Sequence, residues 1–251
     1  MIEQYCAVLH KVLADISAWL LASKVASTHN GRMKAEEFAR VQSQLYTAVI
    51  SDVLDSLGFR HQALRPHIRP VDDSLALFGR VRTALYMSVY EIAENVNPYE
   101  KEMELVDSLQ PGDVPVLACP QNESVVPWGE LLSTSARARG SAGCVTDGMA
   151  RDIKMIRAMR FPVFAAGARP LDSKGRAIVV DIDTTIECGG VLARTGDYVF
   201  GDVDGVVIIP AEIAEETIGR ASDKVSGENL VRKELAQGRS LRDVFARHGI
   251  L

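Results

Sequence analysis

The sequence predicts an α/β fold with mixed sheets and peripheral helices. Three stretches carry that prediction. Residues 143–166 alternate strand, helix and strand, the pattern of a parallel crossover unit. Residues 176–210 break into short apolar runs separated by glycine turns, the pattern of an antiparallel sheet or small barrel. Residues 211–237 repeat apolar residues at helical spacing, with Ala214, Ile218, Ala221 and Val225 on one stripe.

The elements follow in order. Residues 2–25 read as an amphipathic helix, with Leu9, Val12, Leu13, Ile16, Trp19 and Leu20 at helical spacing until the break at 27–31. This extra N-terminal helix, assigned to an extension over 1–32, suits packing on a neighbouring subunit or covering its own core equally well. Met33 is a candidate natural start, and 33–251 is expected to form a single α/β domain. Residues 34–58 predict one or two helices ending at Gly58. Phe78 to Val89 is β-branched and aromatic, hence a strand. A helix is expected over 99–109, a turn at Pro111-Gly112-Asp113, and a strand from Val114 to Cys119. Gly129 to Arg139 predicts a helix stopped by Gly140. Then come a strand over Cys144 to Thr146, a turn at Asp147-Gly148, a helix over Ala150 to Met159 and a strand from Pro162 to Ala166.

Composition narrows function. A net charge of −5 and the lack of a long basic run argue against nucleic acid as a direct partner, because phosphate binding needs clustered Lys and Arg. Cys6, Cys119, Cys144 and Cys188 form no C-x-x-C pair, so neither a zinc ribbon nor a disulfide framework is expected, and a reducing, cytoplasmic setting fits. The five histidines show no metal-binding spacing, so a metal would be held mainly by oxygen, favouring Mg²⁺, Mn²⁺ or Ca²⁺. No run approaches a membrane span, and Lys11 and Asp15 interrupt the only candidate leader. No nucleophile elbow or phosphate-binding glycine loop is present. Asp202-Val203-Asp204-Gly205 reads as a hairpin turn rather than a calcium loop, Cys144 as core, Lys154 as exposed, and Asp147 as bonding its own turn.

Chemistry concentrates between Gly129 and Asp152. A helix opening at Gly129-Glu130-Leu131-Leu132 offers unpartnered N–H groups and the positive end of its dipole to an anion. Asp147 to Asp152 is expected to open a second helix, where Arg151 offers a planar fork for a carboxylate and Asp152 offers hard oxygen to a divalent cation. If both loops share one sheet edge, Glu130 adds a second carboxylate. An Arg-Asp pair at a helix start is also common as surface charge, so spacing alone leaves both readings open.

The stretch Gly129 to Asp152, followed by Phe161-Pro162-Val163-Phe164-Ala165, resembles the RraA-like family. That family contains class II pyruvate aldolases acting on 4-hydroxy-4-methyl-2-oxoglutarate and 4-carboxy-4-hydroxy-2-oxoadipate, and regulators of ribonuclease E. Its aldolase motif, an acidic residue, twenty residues, then Arg-Asp, is matched by Glu130 and Arg151-Asp152, with Glu in place of the more usual Asp. Asn97-Pro98-Tyr99, Lys101-Glu102, Gly196-Asp197 and Asp202 to Val206 add weaker matches, and the resemblance spans roughly 40–245. It implies a β/β/α swivelling domain and a ring-like trimer, or a hexamer of two such rings, with sites between subunits. It further implies that Asp152 ligates Mg²⁺ or Mn²⁺, Glu130 holds a water of the metal, and Arg151 binds the carboxylate and enolate of a small 2-oxo acid. The N–H groups near Leu131 and Leu132 would bind the substrate carboxylate, and Glu228 would be presented to a neighbour's site. Oxaloacetate decarboxylation would pass through the same enolate. One departure stands out: Met155 occupies a position where many aldolase members carry an acid.

Overall fold

The computed structural model describes residues 35–92, 94–120 and 124–250. The expected N-terminal helix lies outside them. The backbone of the fold is one long strand, β2 (Leu77–Ser88). Its twelve residues are long enough to serve several partners. One edge pairs in parallel with β3 (Asp113–Ala118). The other edge pairs with β11 (Tyr198–Asp202) over its first part and with β8 (Ala177–Ile182) beyond, both antiparallel. A register shift between Leu85 and Tyr86 bends the strand where β8 takes over.

From β3 the sheet continues in parallel through β4 (Cys144–Thr146) and β6 (Val163–Ala165), then antiparallel to β1 (Arg69–Pro70). Parallel neighbours need crossovers. These are supplied by α4 (Glu130–Ala138) and α5 (Ile153–Met159). At the far edge β12 (Gly205–Ile209) pairs with β11 through a tight hairpin. The order is β1-β6-β4-β3-β2-β11-β12, and the ends nearly meet: the Arg69 guanidinium donates to the Val203 and Asp204 carbonyls at 3.1 and 2.7 Å. The expected mixed α/β fold is what forms. The glycine-punctuated strands of 176–210 do not make a sheet of their own. Most join the main sheet through β2, and only β9 (Ile186–Cys188) and β10 (Val191–Ala193) pair apart.

Period-two alternation divides the strands between two cores. Val114, Val116, Val145 and Phe164 face one cluster, while Leu117, Cys144, Val163 and Ala165 face the other. The second cluster is closed by α3 (Glu100–Ser108), α4 and α5 through Leu105, Val106, Ala136 and Ile156. Burial of both faces explains why β3 is apolar from Val114 to Ala118. Two helices, α1 (Ala35–Gln44) and α2 (Thr47–Ser56), fill the expected 34–58 stretch. The long α6 (Ala214–Ala236) packs on α2, with Lys224 Nζ 2.5 Å from Asp52. Within α6, Thr217 is fully buried and its hydroxyl lacks a partner among the described residues. An unpaired buried hydroxyl costs about 1–3 kcal/mol. Thr217→Val is therefore expected to raise the melting temperature by a few degrees, checked by calorimetry.

Two differences from the sequence reading have physical causes. Ala150 does not start a helix. Met149–Ala150 forms a short strand, β5, paired with β7 (Gly167–Ala168), and the Arg151 N–H donates to the Trp128 carbonyl at 2.9 Å. These bonds hold the backbone extended. The chain then turns through Asp152 in the left-handed region, φ 59°, and helix begins only at Ile153. Arg151 and Asp152 thus stand in a turn, and the expected helical angle between them does not apply. A final helix, α7 (Leu241–His248), was not anticipated, although the Ser240 side chain caps it by accepting the Asp243 N–H and Gly249 ends it at φ 65°. No described helix is long and apolar enough to cross a membrane.

Candidate active site

Trp128, 1% exposed, anchors the first loop. Its indole N–H donates to Ser133 Oγ at 2.8 Å, and that hydroxyl donates to the Gly129 carbonyl at 2.9 Å. The same residue bridges to Ala150 of β5, so the loop before α4 and the turn before α5 are joined at one edge. Gly129 permits the junction. A Cβ there would stand 2.9 Å from Asp152 Oδ2 and 3.1 Å from Arg151 Cγ and Nε. Gly129→Ala should push Arg151 and Asp152 apart at a cost of about 1–3 kcal/mol. The expected outcome is a folded protein with a lowered melting temperature, read by circular dichroism.

The proximity condition set by the sequence is met for the backbone. The Glu130 N–H donates to Asp152 Oδ2 at 3.2 Å, so the first N–H of α4 already holds one anion. Leu131 and Leu132 add the next two N–H groups of that turn, which have no intrahelical acceptor. Leu131 itself is 77% exposed. The Glu130 carboxylate is steadied by the Thr134 hydroxyl, which donates to Oε1 at 2.7 Å.

Arg151 lies between two aspartates. Its Nε is 3.7 Å from Asp152 Oδ2, and its Nη1 is 3.6 Å from Asp172 Oδ2 and donates to the Leu171 carbonyl at 3.3 Å. Charge-assisted bonds are normally about 2.7–2.9 Å. The long contacts leave the fork oriented and still able to bind a ligand. Asp172 accepts from the Tyr99 hydroxyl at 2.9 Å and from the Lys174 N–H at 3.2 Å. Partial burial pushes its carboxyl up, but the Lys174 N–H, Tyr99 and Arg151 outweigh this and hold it below the usual range.

A second carboxyl stands nearby. Glu102, 8% exposed, accepts from the buried Tyr86 hydroxyl at 2.7 Å. Burial raises it to about 7, helped by the charge of Asp172 and opposed by Tyr86 and Arg151.

The oxygen atoms of Asp152 and Glu130 are of the type that a hard divalent ion takes. Among the described residues no group of three or more His, Cys, Asp or Glu could hold a metal. Asp152 and Glu130 could offer such an ion one or two carboxylates, not an all-protein cage. Such a set would suit Mg²⁺ or Mn²⁺, which keep several waters, better than Zn²⁺ or a caged Ca²⁺.

Other expected residues lie as follows. Met155 is 57% exposed and its N–H donates to the Asp152 carbonyl at 2.9 Å, so no acid stands at that point. Glu228 is engaged by its own chain: its carboxylate accepts from the Tyr46 hydroxyl and lies 3.7 Å from Arg232. Lys154 is exposed and Cys144 is core, as read. Asp147 reaches beyond its own turn, accepting from the Cys119 N–H at 2.7 Å and the Gly189 N–H at 2.9 Å. Sequence reasoning gave no role to Tyr86, Tyr99, Glu102 or Asp172. Glu102 was legible as an acid on the apolar stripe with Leu105, Val106 and Leu109. Asp172, in an irregular loop, carried no such signal.

The RraA-like model, described as Aldolase/RraA, matches residues 47–208, and the chain belongs to that family. It is 34% identical over 190 residues to a Halalkalibacterium halodurans protein carrying the provisional name 4-hydroxy-4-methyl-2-oxoglutarate aldolase, covering 76% of this chain and 84% of that one. It is 37% identical over 119 residues to the uncharacterized protein MJ0644 of Methanocaldococcus jannaschii, covering 47% of this chain and only 56% of that relative. The fold is similar to that of Streptomyces coelicolor RraAS2, described as an unusual member of the RNase ES inhibitor RraA family, with a TM-score of 0.70, 27% identity, and 80% and 98% of the two chains covered.

Proposed function

We propose that this chain is a class II lyase that cleaves a 4-hydroxy-2-oxo diacid to pyruvate and a second oxo acid, and decarboxylates oxaloacetate through the same enolate. The carrying observation is the placement of Arg151 between Asp152 and Asp172, beside the open first turn of α4. Arg151 and the Leu131 and Leu132 N–H groups would bind the pyruvyl carboxylate and oppose the charge that develops as the C3–C4 bond breaks. Asp152, with Glu130, would hold Mg²⁺ or Mn²⁺, which polarises the 2-oxo group when bound. Glu130, steadied by Thr134, would orient the water that takes the 4-hydroxyl proton and returns one to C3. A trimer or hexamer is proposed with the lyase. The exposed Leu131 and Met155 beside the site support a protein contact there. A cytoplasmic setting agrees with the free thiols of Cys119, Cys144 and Cys188.

The test is pyruvate release from a panel of 2-oxo acids with Mg²⁺ or Mn²⁺. Chelation should abolish it and metal should restore it. Inertness toward both oxaloacetate and 4-hydroxy-2-oxo diacids would defeat the reading. Met155 and the likeness to RraAS2 favour one rival, a non-catalytic regulator binding ribonuclease E or another protein. Capture of purified ribonuclease E by a protein lacking lyase activity would favour it.

A further inference from the structure

Arg151 carries a second anion besides Asp152. The loop between β7 and β8 brings Asp172 Oδ2 to 3.6 Å from Arg151 Nη1, and the same nitrogen donates to the Leu171 carbonyl at 3.3 Å. Asp172 does not depend on Arg151 for its place. Its carboxylate accepts from the Tyr99 hydroxyl at 2.9 Å and from the Lys174 N–H at 3.2 Å. Arg176 Nη1 donates to its backbone carbonyl at 3.0 Å, not to its carboxylate. Ser173, next in the chain, is buried, and its carbonyl accepts from the Arg176 and Ala177 N–H groups, both at 2.9 Å. None of these bonds is lost when Arg151 turns to a ligand. Partial burial raises the Asp172 carboxyl, but the Lys174 N–H, Tyr99 and Arg151 outweigh this, so it stays ionised. Asp172 is thus a fixed anion, 40% exposed, beside the guanidinium.

A carboxylate bound on Arg151 lies about 2.8 Å from a guanidinium nitrogen, and so within roughly 7 Å of Asp172. Arg151 and a divalent ion would bring three positive charges to this junction, and Asp152, Glu130 and Asp172 bring three negative ones. With Asp172 the balance is already closed, so every ligand charge is an excess. We propose that Asp172 is a specificity-determining residue that sets the ligand charge accepted at Arg151: one carboxylate is taken, and a second negative group close to it is disfavoured. The proposal rests on Arg151 as the carboxylate site of the lyase. A diacid substrate must then hold its second carboxylate away from Asp172. Two unit charges about 7 Å apart at a half-open surface repel by an amount worth roughly three- to tenfold in affinity.

The experiment compares oxalate with oxamate, which has nearly the same shape but one negative charge fewer, by calorimetric titration into the full chain. The metal draws oxalate more strongly than oxamate in every variant, so only the change in their affinity ratio on substitution is read. Mg²⁺ is raised until that ratio is constant, since loss of Asp172 also weakens the field that holds the ion. Asp172→Asn and Asp172→Ala should each shift the ratio toward oxalate by about three- to tenfold, and the shift should shrink in high salt. Tyr99→Phe keeps the charge and should keep the wild-type ratio. Loss of packing or a misplaced Arg151 would weaken both ligands together and leave the ratio alone. A ratio unchanged in both Asp172 variants, or shifted as far by Tyr99→Phe, would overturn the charge selection while leaving the carboxylate site intact. If neither ligand binds, or both bind Arg151→Ala as well as wild type, the lyase reading falls and the selection with it.

Discussion

Asp152→Ala is expected to lower pyruvate release by about a thousandfold or more while leaving the fold in place. A metal acting as Lewis acid supplies several kcal/mol of charge stabilisation, and each 1.36 kcal/mol is worth tenfold in rate. Asp152 is the carboxylate proposed to hold that metal; it is 41% exposed and stands at the junction of the two loops. Its loss also frees the Glu130 N–H, an exposed bond that water replaces. Stability should fall by no more than about 1 kcal/mol, because surface interactions of this kind contribute little. Asp152→Asn separates charge from shape. It keeps an acceptor for Glu130 but loses the hard anionic ligand, so activity should fall nearly as far. Far-ultraviolet circular dichroism and steady-state kinetics on both variants check this.

Arg151→Ala is the second large effect. Removing one preorganised donor to a developing oxyanion costs about 10²–10³ in turnover. Arg151 also binds the ground-state carboxylate in this account, so KM should rise together with the fall in kcat. Arg151→Lys should recover little, because an ammonium cannot span two oxygens with a planar fork. Its loss removes the cation from between Asp152 and Asp172, so Asp172→Asn in the Arg151→Ala background should be nearly silent, a non-additivity that a double-mutant cycle detects.

Much of this was legible in sequence. The parallel unit was visible because both faces of β3, β4 and β6 are buried, which makes their apolar runs unmistakable. Gly140 marked the end of α4 through its φ of 79°. The grouping of Glu130, Arg151 and Asp152 followed from a motif whose ends meet across twenty residues. What escaped is long-range. The helical reading of Ala150 failed because tertiary pairing of β5 with β7 overrode local propensity. Asp172 reaches Arg151 only through folding, across an irregular loop. Glu102 shares the apolar stripe of its helix, a signal present in the sequence, but its character depends on burial against Tyr86.

In the proposed lyase, the junction of Gly129 with Asp152 would build one metal-and-carboxylate site. Electron paramagnetic resonance of Mn²⁺ titrated into the purified chain tests it most directly. Binding close to one ion per chain is expected, with a spectrum altered by added oxalate and loss of both effects in Asp152→Ala. Mn²⁺ bound equally well by Asp152→Ala, or a bound ion indifferent to oxalate, would contradict it.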